Sequence, residues 1–180
     1  MAGAGDVTAG LATLGAAGWA VTPNTVFNTP GLVGTSTNNN AAAGQVGEVV
    51  ASSIASGAAV ALTTGVTANV TSISLTAGDW DVTAQVDHLL GATTSITQLN
   101  AGISLATGTL AAQAGGSGLG TDPTSTESFA AMIPTANISQ AVGPVRISLS
   151  VTTTVYLVAQ DAFTVSTASA FGTIRARRER

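Results

Sequence analysis

From Gly47 onward, apolar and polar side chains alternate with a period of two, the pattern of strands that bury one face. The clearest run sets Trp80, Val82, Ala84 and Val86 on one face against Asp81, Thr83, Gln85 and Asp87 on the other, just after the turn Ala77-Gly78-Asp79. The same alternation predicts further strands over 48–55, 60–64, 69–76, 96–106, 127–133, 145–151, 155–165 and 169–176. Turn formers separate these runs, and no amphipathic helix stands out. Loops are expected over 107–126, where the run Gly115-Gly116-Ser117-Gly118-Leu119-Gly120 falls, and over 134–144. Short strands at this spacing predict an all-β chain: an antiparallel sandwich, jelly roll or barrel.

Residues 1–45 follow neither period. Gly and Ala dominate at first, then Pro23, Pro30 and the run Asn38-Asn39-Asn40 break any regular element. Yet Trp19, Val26, Phe27 and Leu32 are spread through the segment. Irregular chain with scattered apolar side chains reads as an arm that docks on a partner, with those four residues as its anchors. The division expected is an arm over 1–45 and a β-domain over 46–180.

Composition narrows the chemistry. The chain has 180 residues, of which 33 are Ala, while Val, Ile, Leu and Phe together make 43. The bulky interior is therefore thin, and a sandwich with Ala on its inner faces gains less from burial at roughly 25 cal/mol per Å². Charged residues are 8% of the chain, against about 25% in ordinary soluble domains. A surface of Thr, Ser, Asn and Ala suits a protein covered by copies of itself or by a partner. Cys and Lys are absent and His88 is the single histidine, which removes disulfides, thiolate metal sites, Cys nucleophiles, Schiff-base chemistry and the phosphate-loop lysine. No Gly-x-Ser-x-Gly elbow occurs. The chain reads as no enzyme, with no cofactor.

The net charge of −4 argues against a nucleic-acid partner. The start MAGAGDVTAG lacks a basic segment and an apolar run, so no secretory signal is expected. No apolar stretch reaches membrane-spanning length, and a 4% aromatic content does not suit the girdles of an outer-membrane barrel, so no membrane is expected. Among the acids, Asp79 and Asp81 share a strand face and have the oxygens to contribute to a calcium site with a loop. The plainer reading is a turn acid beside Trp80. His88 has the parity of the Trp80–Val86 face, which suggests a strand-end or interface histidine. Four of five arginines fall in the last six residues. Arg175 and Arg177 share one face of a terminal strand and Arg178 takes the other. They read as an electrostatic contact with acids of a neighbouring subunit or an acidic shell protein.

Several phrases carry a family resemblance: Gln45-Val46-Gly47-Glu48, LTAGDWDV (75–82), RISLS (146–150), TTVYLVAQ (153–160) and FTVSTASAFGTIRARR (163–178). Over about residues 44–178 the chain resembles a family of bacteriophage virion proteins, found as head decoration (cement) proteins and as C-terminal domains of tail-fibre-like proteins. The resemblance implies a jelly-roll sandwich like that of tumour necrosis factor and C1q domains, assembled as a homotrimer. The chain shows no shaft repeats or heptads, and a short arm before one module suits a protein studding a shell with local three-fold positions. The expectation is a structural protein on the outer surface of the capsid, bound to the major capsid protein. The alternative is a tail-tip protein that recognises the host surface.

Overall fold

A computed structural model describes residues 37–110, 124–134 and 136–180. The β-domain lies in the unit Asn39–Arg180. It contains nine strands among the described residues: β1 (Val49–Ile54), β2 (Val60–Ala61), β3 (Ala68–Leu75), β4 (Gly78–Leu90), β5 (Ser95–Ser104), β6 (Thr124–Met132), β7 (Ile138–Leu149), β8 (Thr153–Thr164) and β9 (Ala168–Arg178). The only helical turn among them is a 3-10 turn at Ser56–Ala58.

The strands form two antiparallel sheets packed as a sandwich. The first has the order β1-β9-β4-β7, with the short β2 also paired to β9; the second has the order β3-β8-β5-β6. Alternation along each strand decides which side faces inward. On β4 the burial pattern follows the expected parity, with Trp80, Val82 and Val86 fully buried and Thr83 and Gln85 exposed. Leu75, Ile103, Leu157 and Ile174 meet these side chains from neighbouring strands. Ala84, Ala101, Ala159, Ala170 and Ala176 are also buried, so the thin interior expected from composition is the one observed. One long side is closed by a hydrogen bond between the Ser52 and Thr71 hydroxyls, 2.6 Å apart, joining β1 to β3.

Residues 40–47, inside the segment expected to be an arm, fold back on β1. Asn40 bonds Val49 twice, donating from Nδ2 to the carbonyl and accepting the amide at Oδ1, both at 2.8 Å. The Gly44 amide donates to Glu48 Oε2 at 2.8 Å.

The expected loop over 134–144 is corrected: residues 138–144 belong to β7. Gly143-Pro144 looked like a break because proline cannot donate to a ladder. Here the pair sits where the β4–β7 register shifts, between Val82 and Ala84, and β7 is an edge strand. A bulge on an edge accommodates both residues. Gly143 has φ +88°, and a Cβ on it would lie 2.6 Å from the Val82 carbonyl oxygen, so only glycine fits. The run at 60–64 is also shorter than expected. Leu62 still donates to the Ala168 carbonyl, but the Val66 amide turns back to Thr63. At the other end of the Gly-rich loop, β6 begins at Thr124 rather than at 127.

Candidate functional site

The outer face of the first sheet carries the arginines singled out from the sequence. The register places Val49, Arg177, Asp81 and Arg146 on one rung across four strands, and Ala51, Arg175 and Thr83 on the next. Beyond them come Ser53, Thr173, Gln85 and Ala141. The face is therefore low and mostly uncharged, with two arginine side chains standing above it roughly 7 Å apart along β9. Arg175 and Arg177 are exposed, and neither makes an ion pair among the described residues. Chemically, this arrangement offers two cationic forks to carboxylates brought up against a flat sheet.

Arg178 is placed differently. Its parity turns it inward at the end of the sandwich, where it is 4% exposed. Nε donates to Glu48 Oε2 at 2.9 Å, one terminal nitrogen to the Ala77 carbonyl at 3.0 Å, and the other to the Thr76 hydroxyl. The guanidinium lies over the Trp80 ring, 4.2 Å from its centroid, and the indole N–H donates to the Thr76 carbonyl at 2.9 Å. Arg178 thus fastens the terminal strand to its own chain and is not presented on the outer face. The Gly44 amide and then the Arg178 fork hold the Glu48 carboxyl below its usual range.

Asp79 is covered by two cations. Arg146 donates to Oδ2 at 2.8 Å, and Arg180 binds the same oxygen. Hydrogen bonds from Arg146 first, then Ser148 and Arg180, lower its pKa from 3.8 to about 2. A carboxylate neutralised by two guanidiniums is a poor cation ligand, which removes the calcium reading of Asp79 and Asp81. Among the described residues no group of three or more His, Cys, Asp or Glu side chains is placed to hold a metal.

His88 lies neither at a strand end nor on an exposed face. It is fully buried between the sheets. Nδ1 stands 2.9 and 3.1 Å from the two carboxylate oxygens of Asp161 on β8, and Nε2 stands 2.9 Å from Gln140 Oε1 on β7. The sequence held a signal for this cluster that went unread: Asp161 has the inward parity of Val155, Leu157 and Ala159. The same holds for Glu48, the acid at the foot of β1.

At the end of the sandwich away from Arg178, a cleft of about 430 Å³ is lined by Leu90, Ala92, Ile133, Pro134, Ala136 and Asn137. Met132, Ile133 and Val165 are exposed near it. None of these residues is charged.

The proposed arm anchors Trp19, Val26, Phe27 and Leu32 lie outside the described residues. Among the described residues no helix is long and apolar enough to cross a membrane. No protein-family model matches the chain, and no curated protein matches it.

Proposed function

We propose that this chain is a noncatalytic bacteriophage virion protein: a homotrimeric jelly roll on the outer capsid surface that binds the major capsid protein and reinforces the assembled head. The observation that carries the reading is the order β1-β9-β4-β7 over β3-β8-β5-β6. Leaving β2 aside, every step along the chain changes sheet except β5 to β6, which suits a jelly roll. The flat outer face of the first sheet supports self-association, because small side chains let another surface approach closely. Arg175 and Arg177 supply that contact with charge. Reinforcement would work by mass action: a ligand that binds only the assembled shell stabilises it against disassembly.

Imaging of particles carrying a labelled copy of the chain tests the location. The reading expects many copies spread over the head. A second test removes residues 1–38, leaving Asn40 and Gly44 to hold β1 and Glu48. The truncated chain is expected to stay folded and trimeric in ultracentrifugation and to lose affinity for heads. Unchanged head binding would overturn the arm's role.

The uncharged cleft beside Ile133 and Pro134 favours a second reading, a tail-tip protein that recognises the host surface. Its signature is a few copies at the tail and loss of host adsorption in an Ile133→Asp variant.

A further inference from the structure

His88 and Asp161 are both fully buried and join opposite sheets. Their hydrogen-bond partners fix how many protons they hold. Gln140 Nε2 donates to the Leu99 carbonyl at 3.3 Å, so its Oε1 is the atom that faces the imidazole, 2.9 Å from His88 Nε2. A carbonyl oxygen only accepts, so His88 Nε2 carries a proton. On the other side, Nδ1 faces a carboxylate. That contact needs one proton between them, held by the ring as an imidazolium or by Asp161 as a carboxylic acid. Both arrangements place two protons on three sites and leave the pair with no net charge. A third proton would bury a positive charge, and removing one would bury a negative charge; both are costly in an apolar interior.

We propose that His88 and Asp161 form a two-proton lock between the sheets, which holds the sandwich most firmly at mildly acidic pH and makes it lose stability in both directions from there. In the unfolded chain the same two side chains titrate independently, at about 6.5 and 3.9. Between those values they also hold two protons, and folding neither takes up nor releases one. Above about 6.5 the unfolded pair holds one proton and the folded pair two, so stability falls as pH rises. Below about 3.9 the unfolded pair holds three, so stability falls as pH drops. Each limb changes the folding equilibrium about tenfold per pH unit while the folded pair keeps its count.

The elements packed around the pair bring few other charges. β4 sets Asp87 on the opposite face, β9 opposes His88 with Ala170, and β5 and β7 contribute Leu99 and Gln140. Glu127 on β6 shares the inner side through its pairing with Leu99, and it is half-buried on an edge strand. It is present in every variant below and cancels in the comparison.

Two measurements on the full chain test the lock. His88 is the single histidine, so a histidine-labelled nitrogen spectrum shows one ring. The expected result at neutral pH is a proton bonded to Nε2 and protected from exchange; a bare Nε2 overturns the proposal. The second measurement is urea unfolding from pH 3 to 9 for the wild type and for the neutral double variant His88→Gln, Asp161→Asn. The ratio of their folding constants should be level between about pH 4 and 6.5 and fall about tenfold per unit on either side. A ratio that does not change with pH overturns the proposal. Should the double variant fail to fold, the ring spectrum and the wild type's alkaline limb decide. A wild-type stability that is level from pH 6 to 9 sinks the lock.

Discussion

At the scale of single residues, the side chains that matter most are ionised groups placed where the sandwich has little else to offer. Arg178 meets Glu48, Thr76, Ala77 and Trp80 at once. Replacing it with Met leaves Glu48 partly buried without its cation, and removing one member of such a pair costs about 3–5 kcal/mol. We expect a correspondingly lower urea midpoint for Arg178→Met. Arg178→Lys should recover only part of the loss, because an ammonium cannot fork between Glu48 and Thr76. Asp79 makes a pH prediction. Its pKa is depressed from 3.8 to about 2, so its contribution is complete above the unfolded value and is lost as pH falls through the folded one. An Asp79→Asn variant should therefore have a flatter stability profile between pH 4 and 2, measured by unfolding at each pH. The sequence revealed only part of this. Parity alone separated Arg178 from Arg175 and Arg177. It does not reveal that Glu48, 130 residues away in sequence, is the partner, because that pairing follows from β1 lying beside β9.

At the scale of elements, period-two alternation located β4, β8 and β9 to within a few residues, because each lies inside a sheet and buries one face cleanly. It failed in the first half of β7, where Gly143-Pro144 interrupts the pattern at an edge that tolerates a bulge. It also failed at 62–64, where the alternation continues after β2 has ended. The turn from β8 to β9 holds a further local conflict. Val165 and Ser166 adopt φ of 58° and 63°, a conformation that costs an L residue roughly 1–2 kcal/mol and suits a β-branched one least. Val165 is 69% exposed, so no packing compensates. The variant Val165→Asn, Ser166→Gly should raise the melting temperature by several degrees, read by circular dichroism. An unchanged melting temperature would mean that the turn is relaxed in solution.

For the whole molecule, the sheet order and the sparse charge point to a chain that works in company. The alternation of strands was legible in the sequence, but the pairing order was not, because β1 and β9 meet across almost the whole domain. A direct check on the outer face is the variant Arg175→Glu, Arg177→Glu. Both side chains are exposed and make no ion pair among the described residues, so the fold should be unchanged by circular dichroism. Self-association or head binding, measured by sedimentation, should weaken at least tenfold if acids of a partner meet these arginines, and raising the salt should weaken the wild type in the same direction.

The pairing of β1 with β9 also determines how the domain answers to mechanical load. The strands are antiparallel, and Val49 lies directly opposite Arg177, so a pull on the two ends of this unit arrives at a single rung. Force applied there peels the ladder apart one bond after another instead of shearing all of it together. The Glu48–Arg178 clasp stands at the point where peeling must begin. In an optical trap the domain should open at low force after one initial barrier, and Arg178→Met should remove that barrier.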